Sequence, residues 1–240
     1  MWTLLTTLAC GPKTAEPEVA PEPVEAAVPA AEAAPEVSPS VRLHMSEHFE
    51  KTRVANDSFV HGEIAQARAS LAWLAEHEAP EGLPEGTRPW LAEMKEAGTA
   101  GSAEGPPAQT AAGIAMLGAS CGSCHRSSGV VVGQELPAFP EGGDEIHMAQ
   151  HQWAISALWG GLMGDDAEAW KAGAEALSGE PLGPDAFGVP EVSDSAMAYA
   201  QTAHEAARGA VELSDPVDRA EAYATVITAC AGCHAEMRGE

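Results

Sequence analysis

Two short segments concentrate the residues able to do chemistry: Cys121-Gly122-Ser123-Cys124-His125 and Cys230-Ala231-Gly232-Cys233-His234. Two thiols three residues apart lie on one helical turn and can each add to a vinyl group of one haem. The histidine that follows faces the iron from the same turn. Competing readings are a zinc knuckle, a thioredoxin-like redox pair and a structural disulfide. A zinc site needs more ligands than two Cys and one His, unless the two motifs pool theirs. A thioredoxin-like pair belongs in a β-α setting, and no alternating strand pattern long enough for a sheet occurs here. Two haem c groups are therefore expected, with Cys121, Cys124, Cys230 and Cys233 as thioether donors. His125 and His234 are the proximal iron ligands.

A second pair of histidine-bearing segments accompanies them. His44-Met45-Ser46-Glu47-His48 recurs as His147-Met148-Ala149-Gln150-His151. On a helix, residues three apart share a face. His48 falls inside an apolar stripe of Met45, Thr52, Ala55 and Phe59. His151 falls inside one of Met148, Ile155, Leu158 and Leu162. A histidine in a core stripe needs a polar partner or a metal. His48 and His151 are thus the first candidates for the distal iron ligand, with Met45 and Met148 as the alternative and an open iron as the third possibility. His44 and His147 sit at the stripe edge, where solvent or haem propionates would meet them. His61, His77 and His204 read as surface or loop residues. Trp73, Trp90, Trp153, Trp159 and Trp170 fall at core-type spacing and are expected to wall the haem pockets. Met94, Met116, Met163 and Met197 are expected to fill the core.

The elements that must position these residues are helices, and they repeat. The His-Met-x-x-His segment, a Gly-acidic pair (Gly62-Glu63, Gly164-Asp165) and the haem motif recur in the same order about a hundred residues on, which argues for internal duplication. Breakers cut repeat one into helices near 41–59, 62–77, 88–98 and 107–125. Repeat two divides near 144–162, 165–178, 193–212 and 216–236. Asp215-Pro216 reads as an N-cap followed by proline at the first helical position. The expected organisation is a haem bundle over 41–126, a linker over 127–143 and a second haem bundle over 144–240.

Ahead of them, residues 11–40 mix Pro, Ala, Glu and Val without periodicity. Repeated prolines forbid a regular helix and acidic charges repel, so a disordered tether is expected. Residues 1–10 are a short apolar run ending in Cys10, too short to span a bilayer. This segment resembles a lipoprotein signal peptide, which implies export, a lipidated Cys10 and a periplasmic or cell-envelope protein held to a membrane.

The chain has 240 residues, 36 acidic against 12 basic side chains, and a formal charge of −24. That sign excludes a nucleic-acid partner and suits a basic protein partner steered by charge. Alanine and glycine are abundant and aromatics scarce. Such helices pack closely but bring few bulky core groups, a deficit that a large apolar cofactor makes up.

The position of the second motif narrows the fold. Six residues follow His234, so no downstream side chain can reach the far side of its iron. The motif must end a last helix, with an earlier helix over the distal face. In this layout both repeats resemble the class II, cytochrome c′-type, four-helix bundles. Those carry Cys-x-x-Cys-His near the end of helix four and meet the distal haem face from helix one. The resemblance implies an all-α fold of two tandem bundles, each shorter than usual for that family, with the third helix of repeat one curtailed. It implies an electron carrier rather than an enzyme, passing single electrons between periplasmic or membrane-bound redox partners. Homodimers formed through helix faces are a further implication. A gas-binding or peroxidase-like protein with an open iron is the alternative, and a wire within a larger respiratory complex is a third reading.

Overall fold

Four of the eight helix starts among the described residues are set by a side-chain cap, those of the first, sixth, seventh and eighth helices. The structure, a computed structural model, describes residues 38–130, 132, 135–143, 146–179 and 192–239. Cys10 and residues 11–37 of the expected tether lie outside the described residues, while its last three, Ser38, Pro39 and Ser40, are not tether but cap and open the first helix. Among these residues the fold is all-α, with eight α-helices. They are α1 (Pro39–Val60), α2 (Ile64–Glu76), α3 (Arg88–Ser102), α4 (Pro107–Ser127), α5 (His147–Met163), α6 (Ala167–Leu177), α7 (Asp194–Ala210) and α8 (Pro216–Arg238). A short 3-10 turn at Glu85–Thr87 precedes α3.

Ser38 caps α1 by accepting from the Val41 N–H, and Pro39 follows at the first helical position. The Asp166, Ser193 and Asp215 side chains cap α6, α7 and α8 in the same way. Each cap satisfies a donor that a helix start leaves unpaired. The helix α3 runs to Ser102, past the expected stop near residue 98. Its glycines pack against neighbours instead of ending it. A Cβ on Gly101 would lie 2.9 Å from the Gly113 Cα of α4, so the bare positions let the two backbones approach.

Consecutive helices are neighbours in α1–α4 and again in α5–α8, and the two motif-bearing helices, α4 and α8, pack along each other. The contact of α1 with α4, and of α5 with α8, is sparse by comparison. One continuous hydrophobic core runs through both halves, from Phe59, Leu71 and Ile114 to Trp159, Trp170, Tyr223 and Ile227. The described residues form a single compact unit. Fully burying a side chain such as Phe59 or Leu71 contributes about 1.5–3 kcal/mol. Trp170, almost fully buried, donates its Nε1–H to the Ala210 carbonyl at 2.9 Å and so satisfies its one polar atom. No helix among the described residues is long and apolar enough to cross a membrane.

One buried polar contact joins the repeats. The Tyr223 hydroxyl of α8 donates to Asn56 Oδ1 of α1 at 2.7 Å, with both residues in the core. Tyr223→Phe strands the Asn56 acceptor, and such an orphan costs about 1–3 kcal/mol. We expect a thermal midpoint lower by several degrees. An unchanged midpoint would show that Asn56 finds another donor.

Candidate functional site: two cavities walled by Cys-x-x-Cys-His helices

The sparse contact between first and last helices of each half has a physical cause: a cavity lies there. The first, of about 340 Å³, is lined from α1 (Met45, His48, Phe49, Thr52), α3 (Trp90, Leu91, Met94) and α4 (Ser120, Cys121, Cys124, His125), and closed by Val132 and Met163. The second, of about 260 Å³, is lined from α5 (Met148, His151, Gln152, Ile155), α7 (Tyr199, Ala200, Ala203) and α8 (Ala229, Cys230, Cys233, His234), with Val60 and His61 at its edge. Both thiols and the histidine of each motif thus face one cavity, as helical spacing requires. The His-Met-x-x-His segment faces the same cavity from the opposite wall.

The two motif histidines are held alike. The His125 Nδ1–H donates to the Met163 carbonyl at 3.1 Å, and the His234 Nδ1–H donates to the Val60 carbonyl at 2.6 Å. A carbonyl only accepts, so the proton sits on Nδ1 and Nε2 carries the lone pair. A metal-ligating histidine is oriented in this way, with its other nitrogen bonded to a carbonyl. Burial lowers the pKa of both rings, and the bond to the carbonyl only partly offsets it. Each bond crosses to the other half of the chain: Met163 ends α5 and Val60 ends α1. Arg126, next to His125, forms an ion pair with Asp165 beyond the end of α5 and reinforces the first crossing.

The thiols are not poised as nucleophiles. All four are free. Burial pushes Cys121 and Cys230 up to about 12, with Cys124 and Cys233 adding smaller effects of the same sign. A thioredoxin-like pair needs the opposite, a thiolate stabilised near neutral pH. Pooled zinc coordination is also disfavoured, because the two motifs face separate cavities. The donor set fits a haem in each cavity: two protonated thiols on one turn, a neutral imidazole with its lone pair free, and apolar walls.

The intervening motif residues have packing roles that the spacing alone does not reveal. Gly122 lies against the backbone carbonyl of Leu162, where any Cβ would collide. Gly232 faces the ring of Tyr199, where a Cβ would come within 2.6 Å of ring carbons. A backbone carbonyl cannot swing away, whereas the partly exposed Tyr199 ring can. Gly122→Ala should therefore cost about 1–3 kcal/mol by forcing α4 from α5, and Gly232→Ala less. Thermal melts of the two variants check the order; equal losses would contradict it.

On α1 and α5, Thr52, Ala55, Phe59, Ile155, Leu158 and Leu162 are buried as the stripes predict. His48 is buried, His151 is half-buried, and both are lowered to about 3, chiefly by burial and then by neighbouring histidines. Met45 is half-buried, while Met148, at the start of α5, is 48% exposed.

Other expectations are corrected. His44 is not solvated but 4% exposed. His204 is 2% exposed, and its Nδ1–H donates to the Gly179 carbonyl at 2.7 Å. His77 is half-buried and stacks on Trp73 with ring centres 4.1 Å apart. His61 alone of that set is exposed, stacked at 5.5 Å on His234. Of those five tryptophans Trp90 alone lines either of these two cavities, while Trp159 and Trp170 belong to the shared core. Met94 and Met163 are buried, as expected of core fillers, and also line the first cavity.

The histidines that sequence spacing leaves apart come together in two groups. His44, His48 and His77 form one, and His147, His151 and His204 the other. In each, the candidate ligating atoms lie within 4.8 Å of one another. The i, i+4 pairs His44/His48 and His147/His151 were a legible signal on one helix face. The third members come from other helices, and no local spacing announces them.

No family model matches the chain, and no curated protein or solved structure is significantly similar to it.

Proposed function

We propose that the chain is a di-haem c-type cytochrome, built as two tandem cytochrome c′-like four-helix bundles joined through α4 and α8, and that it passes single electrons between redox partners of the cell envelope. The observation that carries this reading is the matched equipment of the two cavities. Each has two free thiols and an imidazole on one helical turn, and each imidazole is bonded through Nδ1–H to a carbonyl with Nε2 left for iron. Haem iron, changing between ferric and ferrous, supplies storage for one electron at a time.

The protein's own residues do the rest. Cys121, Cys124, Cys230 and Cys233 tether the group so that it is not lost when its charge changes. Met163 and Val60, through their carbonyls, hold the proximal rings in one orientation. Trp90, Leu91, Met94, Ile155, Ala200 and Ala203 keep the surroundings apolar. The distal wall offers His48 or Met45 in the first cavity and His151 or Met148 in the second. The choice sets the potential, since a second imidazole favours ferric iron and a thioether raises the potential. The charge of −24 favours encounter with basic partners. Lipidation at Cys10 and the tether after it would hold the carrier at a membrane in the periplasm.

The test is to export the full chain in a host that matures c-type haem and to quantify haem by pyridine haemochrome after acid-acetone extraction. Two covalently held haems per chain are expected, with reversible one-electron reduction of each. Extraction of all haem, or none incorporated, would sink the reading. Rapid carbon monoxide binding by both ferrous irons would instead favour an open-iron, gas-binding protein.

A further inference from the structure

The two histidine groups have more ligands than haem coordination uses. An axial site on iron takes one imidazole. Yet three gather beside each cavity, and two of each three, His44 and His77 or His147 and His204, lie outside its lining. In the first group the ring centres of His44 and His48 are 3.9 Å apart, those of His44 and His77 5.0 Å, and those of His48 and His77 5.2 Å. In the second they are 4.1 Å for His147 and His151, 5.9 Å for His147 and His204, and 5.0 Å for His151 and His204.

Three observations point to a ligand. First, His44 and His48 are 4% and 6% exposed, and their Nε2 atoms, buried, have no hydrogen-bond partner within the protein. Buried polar atoms in folded proteins are almost always satisfied. Leaving two together in one place costs stability unless something else takes their lone pairs. Second, the remaining contacts of the third ligands suit coordination. His204 gives its Nδ1–H to Gly179 and so presents Nε2 as the lone-pair nitrogen. His77 stacks on Trp73 and has Glu47 3.6 Å away as a nearby negative charge.

Third, the groups are alike although their third members are not equivalent. His77 is the C-cap of α2. The matching C-cap, that of α6, is Ser178, which has no imidazole. There the histidine comes from the middle of α7 and reaches the carbonyl of the next residue, Gly179. Duplication by itself would copy a histidine to the same place. Here the third histidine comes from a different element in each half, so the likeness of the two trios is not a copied position.

We propose that His44, His48 and His77, and likewise His147, His151 and His204, each bind one divalent first-row transition-metal ion, Zn²⁺ or Cu²⁺, distinct from haem iron. Imidazole nitrogens select these ions over Mg²⁺ and Ca²⁺, which take oxygen ligands. With zinc–nitrogen bonds of about 2.0–2.1 Å, tetrahedral ligand atoms lie about 3.4 Å apart. Closing each trio from within 4.8 Å needs only small side-chain rotations. Three protein ligands leave a fourth position for water or a small anion, the pattern of reactive rather than purely structural sites. His48 and His151 are shared walls. Committed to the second metal, they leave Met45 and Met148 as the protein's distal groups toward haem.

The inference does not rest on the haem reading, and the two fail separately: haem is counted by haemochrome and the second metal by elemental analysis. The full-length protein is stripped with a chelator and dialysed against Zn²⁺ or Cu²⁺ at micromolar concentration. Two ions per chain beyond haem iron are expected. Each of His77→Gln and His204→Gln should lower the count to one, and the double variant should abolish binding. Circular dichroism confirms that each variant is folded. Nitrogen splitting in the paramagnetic resonance spectrum of the copper-loaded form identifies imidazole ligands, and comparing the two dialyses tells which ion is preferred. Binding of neither ion would overturn the proposal, as would an unchanged count in the folded double variant. A count of one overturns it for whichever trio tolerates its substitution.

Discussion

On the di-haem reading proposed above, a chain carrying Cys230→Ser and Cys233→Ser should hold one covalent haem instead of two, halving the haemochrome absorbance per chain while leaving the other haem's spectrum intact. The expectation follows from the separation of the cavities. Their linings share no residue, and each contains both thiols and the histidine of its own motif. The loss should extend to stability. The second cavity has apolar walls from Ile155, Ala200, Ala203 and Ala229. Leaving some 260 Å³ of such space unfilled costs on the order of several kcal/mol. The Cys121→Ser, Cys124→Ser pair should behave in mirror image. Loss of both haems from either double variant would mean that the two attachments are interdependent, against the separation of the cavities.

The second large effect concerns the halves themselves. A fragment of residues 38–143 should show no cooperative thermal transition by itself, and protein cleaved between 128 and 143 should remain one particle in gel filtration. Three contacts decide this. The helix α4 packs along α8, so separating the repeats exposes the centre of the core. The His125 and His234 rings are each bonded to a carbonyl of the opposite half. Asn56 and Tyr223 satisfy each other across the seam. An isolated half would lose all three, and a stability of about 5–15 kcal/mol for a typical domain leaves little margin for such losses. Independent cooperative melting of the 38–143 fragment would refute the expectation.

Much of the framework was legible from residue order. The start of α8 follows from Asp215-Pro216, because a side-chain oxygen beside the first turn satisfies a local donor. The helix α3 departs most from its expected length, running to Ser102 through Gly98 and Gly101, since glycine is only a weak helix breaker where packing favours a bare position. Against Leu71 and Ala75, Gly98 is a close-packing position: a Cβ there would meet the Leu71 carbonyl at 2.9 Å. The convergence of two thiols and an imidazole on one cavity was equally readable, being a property of a single helical turn.

What the sequence determined, then, was local: eight helices, two motifs that must end α4 and α8, and paired histidines on α1 and α5. What only the tertiary structure decided was distant. It brought His77 and His204 to the histidine pairs, tied the His125 and His234 rings to the opposite repeat, and joined both repeats in one core. Periodicity encodes which face of a helix is buried, since side-chain direction depends on the next few residues. It does not encode which helix meets that face. That choice is made by packing among segments far apart in the chain, where a bare glycine such as Gly122 or a single tyrosine such as Tyr223 sets the distance.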